Sequence, residues 1–148
     1  MHIEIDQSGR VETLTHDTAL GFSNGKSFGI FIDRKTKRLV FATLKQRFKE
    51  VRNPEVKVFT AAVFLLIRDH MRQIENMIID LEYMGHENVI KSTLLRHIWK
   101  IRPNFEKEQI AFQSIGKKSG AHYKAYGIFA GKQKPDREIN AEELLSLL

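Results

Sequence analysis

The carboxylates of this chain that could do chemistry fall in two places. Asn76-Met77-Ile78-Ile79-Asp80-Leu81-Glu82-Tyr83 is an apolar run, short enough for a buried strand, that ends in two acids two residues apart. Side chains i and i+2 of a strand share a face. Asp80 and Glu82 are therefore expected to project together from its C-terminal end, before Gly85 lets the chain turn into a helix. Asp6 closes a shorter alternating run, Ile3-Glu4-Ile5-Asp6, which leads into the turn-forming Gln7-Ser8-Gly9. Ligands of open α/β sheets gather where strands end, and acids clustered there can hold a divalent metal or exchange protons. The plainer reading is that these are solvated charges at loop edges. A partner acid and a basic surface elsewhere in the chain would decide between the two.

The other reactive residue types form weaker patterns. There is no cysteine, which excludes a disulfide framework and a thiolate metal site. His2, His16, His70, His86 and His97 are scattered without zinc-ligand spacing. Ser119 lacks the strand–turn–helix context of a hydrolase nucleophile, and Gly21, Gly25 and Gly29 make no phosphate-loop pattern. His122, near the start of an expected helix, is either a surface residue or a ligand and proton carrier.

The chain has 148 residues and a net charge of +6, a size expected to make one domain with a sizeable core. The charge is unevenly spread. Residues 34–52 hold eight Lys/Arg against Glu50 alone, a balance of +7, and residues 117–137 hold six against Asp136, a balance of +5. The remainder therefore sums to −6. Two basic segments around an acidic body suggest a polyanion surface; solvated helix faces are the alternative. No apolar run approaches a membrane span and the start does not read as a signal peptide, so a cytoplasmic protein is expected.

The elements that must position the acids follow from periodicity. Ala19–Ser23 and Ser27–Ile32 flank Asn24-Gly25, which predicts a hairpin with a type I′ turn. Val40, Leu44, Phe48 and Val51 predict a helix over about 35–51, with a strand at 38–43 as the rival assignment. Val58–Ile67, apolar except for Thr60, predicts a buried helix. The strand Met77–Glu82 is followed by a helix from about His86 to Ile101 and a strand over Gln109–Ile115. Ser119 is the expected N-cap of a helix from Ala121 to about Ala130, and Asn140 caps a last helix, Ala141–Leu148.

A three-strand antiparallel start followed by alternating helices and strands resembles the ribonuclease H-like superfamily, and in particular the RuvC-type Holliday-junction resolvases. Ile3-Glu4-Ile5-Asp6-Gln7-Ser8-Gly9 is similar to the first strand of that superfamily, and Ile78-Ile79-Asp80-Leu81-Glu82 to the fourth. The resemblance implies a three-layer α/β fold over 1–148, with a mixed five-stranded sheet and helices on both faces. It places the first and fourth strands side by side at the sheet centre, so that Asp6 would lie near Asp80 or Glu82. It also implies a Mg²⁺ or Mn²⁺ site of two metal ions, with Asp6 bridging, Glu82 at the second position and Asp80 as substitute or supporting acid. The family's last helix usually adds acidic ligands, or an acid and a histidine. Here that helix carries only His122 and Lys124, with Asp136 beyond it as a further ligand candidate.

The activity expected on this basis is metal-dependent cleavage of phosphodiester bonds in structured or branched nucleic acid, DNA more than RNA, by a chain that pairs as a homodimer. Lys117, Lys118 and Lys124, around a helix N-terminus, would contact phosphates, as would Lys132, Lys134, Arg38 and Lys45 from the basic segments. The rival readings are a nucleic-acid-binding module of the same fold whose catalytic set has decayed, and a basic domain that docks an acidic protein.

Overall fold

The computed structural model describes residues 1–148. It is an α/β structure built on one mixed sheet of six strands, in the order β5-β4-β1-β2-β3-β6. The N-terminal run becomes β1 (His2–Ser8), which pairs antiparallel with β2 (Thr18–Asn24), and β2 pairs antiparallel with β3 (Lys26–Ile32). After α1 (Arg34–Arg47) and α2 (Pro54–Ile67), β4 (Asn76–Asp80) returns to lie parallel to β1 on its other side. Next, α3 (Glu87–Ile98) carries the chain to β5 (Ile110–Gln113), parallel to β4. Then α4 (Gly120–Phe129), β6 (Arg137–Glu138) and α5 (Ala141–Leu145) complete it.

The helix ends obey local chemistry. Asp33 caps α1 by accepting from Thr36 N at 2.7 Å, and Pro54 opens α2, where its missing N–H costs nothing. Ser119 caps α4, as expected, and Asn140 and Glu143 form a capping box on α5. Inside the apolar α2, Thr60 satisfies its hydroxyl by donating to Val56 O at 2.7 Å. No helix is long and apolar enough to cross a membrane.

Period-2 alternation divides the sheet into two unlike faces. One carries Ile3, Ile5, Leu20, Phe22, Ile30, Ile32, Met77, Ile79 and Ile110. These join apolar residues of α1, α2, α3 and α5 in a single buried cluster of 32 side chains, so one core spans the chain. The opposite face carries Glu4 and Asp6, with Ser23 and Gly21 as their β2 partners, and Ser27 and Gly29 on β3. Only α4 covers it there, burying Ala121, Ala125 and Ile128.

The structure corrects several expectations. The sheet has six strands rather than five: Arg137–Glu138, read from sequence as part of a polar link, pairs with Ile30 and Phe31 at the β3 edge. A two-residue strand has too few residues to show alternation. The first strand runs through Gln7 and Ser8, so Asp6 lies inside it rather than at its end. The hairpin forms at Asn24-Gly25, but only Gly25 has positive φ (81°), and Asn24 pairs with Lys26. A type I′ loop would have set Gly21 opposite Phe28. The observed register sets Gly21 opposite Gly29 and Phe22 opposite Phe28. A one-residue slip reverses every side chain of β3, so this register puts Phe28 with the core and leaves two glycines beneath α4.

Candidate metal centre

Three acids meet where the C-terminal end of β4 lies beside Asp6 of β1. Ile5 pairs with Ile79, which brings Asp6 level with Asp80 on the face opposite the core. Glu82 reaches the same spot by a different route from the one its spacing predicts. The strand ends at Asp80, and the backbone then folds back so that Glu82 N donates to Asp80 O at 2.9 Å. Carboxylate oxygens of Asp6, Asp80 and Glu82 all lie within 4.8 Å of one another. Asp80 is held from its far side by Ile115 N, which donates to Oδ1 at 2.6 Å.

The glycine floor explains how α4 adds the fourth group. A Cβ on Gly21 would stand 2.9 Å from Ala125 N, in the backbone of α4, and a Cβ on Gly120 would stand 2.6 Å from Ser23 Oγ. One on Gly29 would overlap Ile128 Cδ1. The helix therefore lies close against the sheet, and His122 in its first turn places Nδ1 3.0 Å from Asp6 Oδ2. Glu4, an unexpected charge in a central strand, accepts from Ser119 Oγ at 2.8 Å, while Ser119 Oγ also caps Ala121 N at 3.1 Å. Glu4 thus ties the start of α4 to the sheet and serves as an anchor for that helix.

The electrostatics of the cluster are those of too many carboxylates in too little water. Burial pushes Glu82 up to about 8, reinforced by its hydrogen bond and repulsion with Asp80, against the pull of Arg10. Burial also raises Asp6 above the usual carboxylate range, opposed chiefly by the His122 hydrogen bond. Three adjacent carboxyl groups, two of them pushed up by burial, are a donor set that suits a hard divalent cation. Such a cation takes oxygen ligands and supplies the positive charge the cluster lacks.

Arg10 was not among the residues singled out from sequence. Its Nε lies 3.6 Å from Glu82 Oε2 and its Nη1 3.7 Å from Glu12 Oε2, with the guanidinium 5.6 Å from the Tyr83 ring centroid. The loop that carries it, between β1 and β2, is held by Lys37. That lysine is 0% exposed and donates to Arg10 O, Thr13 O and Thr18 Oγ1 at 3.0, 2.6 and 2.9 Å. Burial pulls the Lys37 ammonium down to about 8. Tyr83 OH donates to Glu12 Oε1 at 2.9 Å and accepts from Gln7 Nε2 at 3.4 Å, which closes the rim below Arg10. The one sequence signal for Arg10 was its position directly after the turn that follows an acid-bearing strand.

Other expected site residues lie elsewhere. Asp136 is outside the acid group: its Oδ2 accepts from Gly29 N at 2.8 Å and lies 3.1 Å from Lys124 Nζ. It holds the strand edge beside β3, and it neutralises Lys124, whose side chain is mostly buried beneath α4 and so is a poor phosphate contact. Lys117 and Lys118 are exposed in the turn before α4, and Lys132 and Lys134 are exposed after it. The 34–52 segment is less free than its charge suggested. Lys37 is internal, Arg34 pairs with Asp17 at 3.2 Å, and Arg38 donates to Leu14 O at 3.0 Å while remaining exposed. Lys45 is exposed in the last turn of α1. A cavity of about 900 Å³, lined by Leu44, Phe48, Val56, Val89 and Leu148 among others, shares no residue with the acid cluster.

Comparison with family models, with curated proteins and with solved structures finds no match to this chain. The functional reading accordingly rests on the geometry of the site.

Proposed function

We propose that this chain is a ribonuclease H-like, metal-dependent endonuclease of the RuvC kind, acting on structured or branched nucleic acid. The observation that carries the reading is the convergence of Asp6, Asp80 and Glu82 across two adjacent parallel strands, with His122 on Asp6. The placement of β1 beside β4, and the antiparallel β1-β2-β3 start, support the same reading.

Asp6, Asp80 and Glu82 would hold Mg²⁺ or Mn²⁺. Metal ions held there would supply activation of a water and stabilisation of the leaving oxygen of a phosphodiester. The protein's own groups do the rest. Asp80 is fixed by Ile115 N, so its carboxylate is pre-set toward the cluster. Asp6 orients the His122 ring through Nδ1 and leaves Nε2 free to exchange a proton. Exposed Lys117 and Lys118 line the approach to the start of α4 and draw a polyanion toward it.

The test is cleavage of four-way junction, duplex and RNA–DNA hybrid substrates by the purified chain with Mg²⁺ or Mn²⁺, against an EDTA control. Cleavage that disappears in Asp6→Asn and in Glu82→Gln is expected. Absence of cleavage on every substrate, or equal cutting by the two variants, overturns the proposal.

A second reading keeps the fold and the nucleic-acid surface but not the turnover. It is favoured by α4, which offers His122 but no carboxylate, and by Arg10, which already partners Glu82. It predicts salt-dependent binding with no cleavage.

A further inference from the structure

The outer face of α4 carries three aromatic rings beside the acid cluster. Tyr123 and Tyr126 are 60% and 46% exposed, unusual for rings of that size three residues apart on a well-packed helix. The Tyr126 ring lies nearly parallel to His122, at 11° with centroids 5.8 Å apart, and Tyr123 meets His122 edge-on at 6.2 Å. Residues i and i+4 meet on a helix because long side chains lean toward its N-terminus, so Tyr126 covers the turn that holds His122. Lys132 Nζ lies 5.8 Å from the Tyr126 centroid. The line of groups therefore runs from Asp6 through His122 and Tyr126 to Lys132.

Beyond the acid cluster, the charge on α4 and its flanking turns is mostly basic. No residue of α4 is acidic, and its single lysine, Lys124, is turned under the helix onto Asp136. Exposed Lys117 and Lys118 stand before α4, and Lys132 and Lys134 after it. Exposed aromatic rings interleaved with lysines match the chemistry of an unpaired nucleotide strand. Every base offers a π-face to a ring, and each phosphate needs a cation. A duplex hides those faces in its own stack. An acidic peptide would use the lysines and leave the rings unexplained.

We infer that Tyr126 and Tyr123, with Lys132, form a base-stacking platform for a single-stranded segment, which leads its backbone to the acid cluster. The inference rests on the nuclease reading for its orientation, and it narrows the substrate to nucleic acid with unpaired nucleotides next to the scissile bond. Tyr126 is the principal contact and Tyr123 its flank.

Binding in EDTA separates this inference from the question of cleavage. Fluorescence anisotropy would be read for a short labelled single strand, for the same sequence as a duplex, and for a labelled poly-glutamate. The single strand is expected to bind most tightly. Tyr126→Ala should weaken it roughly tenfold, Tyr126→Phe should preserve it, and Lys132→Gln should shallow its salt dependence. Thermal melting should change little in all three, since Lys132 is exposed and Tyr126 half-exposed on the helix surface. The inference is overturned if Tyr126→Phe loses as much as Tyr126→Ala, if the duplex suffers equally, or if poly-glutamate binds and the single strand does not. If the strand binds as described and no substrate is ever cut, the nuclease reading fails and the platform stands. If cutting occurs but ignores Tyr126→Ala on substrates with unpaired nucleotides, the platform alone fails.

Discussion

The two faces of the sheet solve opposite problems. On one, Ile3, Ile5, Leu20, Phe22, Ile30, Ile32, Met77 and Ile79 are almost wholly buried beneath α1, α2, α3 and α5. On the other, β1, β2 and β3 present Glu4, Asp6, Gly21, Ser23 and Gly29 to one short helix, with Asp80 level with Asp6. Because strand side chains alternate, each β1 residue that builds the core sits beside one that builds the site. Stability is gathered on one side, and the other is left free to hold mutually repelling carboxylates that a hydrophobic core could not tolerate.

The sharpest way to break this division is a pair of neighbours on β4. Ile79 is 0% exposed in the core, and Asp80 faces the cluster. Ile79→Ala is expected to cost about 2–5 kcal/mol of folding stability, from lost burial and the cavity left behind. Asp80→Asn should cost little or raise the melting temperature, because it removes a charge that repels Asp6 and opposes ionisation of Glu82, while metal-dependent turnover is lost. Denaturant unfolding and cleavage assays on the two variants read the contrast. If Asp80→Asn proves as destabilising as Ile79→Ala, the acids are structural and the division is wrong.

A smaller effect is expected where the two faces are coupled, at the glycine floor. Gly21→Ala places a methyl against the backbone of α4 at Ala125, which cannot give way as a flexible side chain would. Overpacking of this kind costs about 1–3 kcal/mol. Its larger consequence is to lift His122 off Asp6, so activity should fall further than stability does. Comparison of turnover in Gly21→Ala with that in His122→Ala checks this: the two should be similar, and adding the second substitution to the first should change little.

What was legible in the sequence depended on which signals are local. Alternation in Ile3-Glu4-Ile5-Asp6 and the short apolar run Met77-Ile78-Ile79 before Asp80 marked the two central strands, and Ser119 marked the start of α4, because each is written within a few residues. The pairing of Asp6 with Asp80 and Glu82 was implied only by the resemblance to the ribonuclease H-like superfamily, in which the first and fourth strands are neighbours. Asp136 was misplaced because its role depends on contacts with Gly29 and Lys124 that no local pattern carries. Lys37 looked like one more surface charge in a basic segment, whereas its three acceptors are gathered from residues 10–18 across the fold. Gly21 and Gly29 carry no phosphate-loop pattern, and their use as a seat for α4 appears only once the hairpin register places them side by side.

The smallest effect isolates the charge of the cluster from its shape. The Glu82 carboxyl titrates near 8 in the folded chain and ordinarily at 4.5. Between those values the folded state binds the extra proton, so stability is fully present below about 4.5 and is lost as pH rises through about 8. In EDTA the melting temperature should therefore decline across that window, and Glu82→Gln should flatten the decline. Lys37 acts in the opposite sense and at higher pH, since its folded value near 8 lies below its ordinary 10.5, so stability gains from it only above about pH 8. Adding Mg²⁺ or Mn²⁺ at pH 8 should recover for the parent chain the few degrees lost on ionisation, because a ligand that binds only the folded state raises its stability by mass action. The same addition should do much less for Glu82→Gln. A pH profile unaffected by Glu82→Gln, or metal stabilisation equal in both chains, would mean that Glu82 does not share the charge of the cluster.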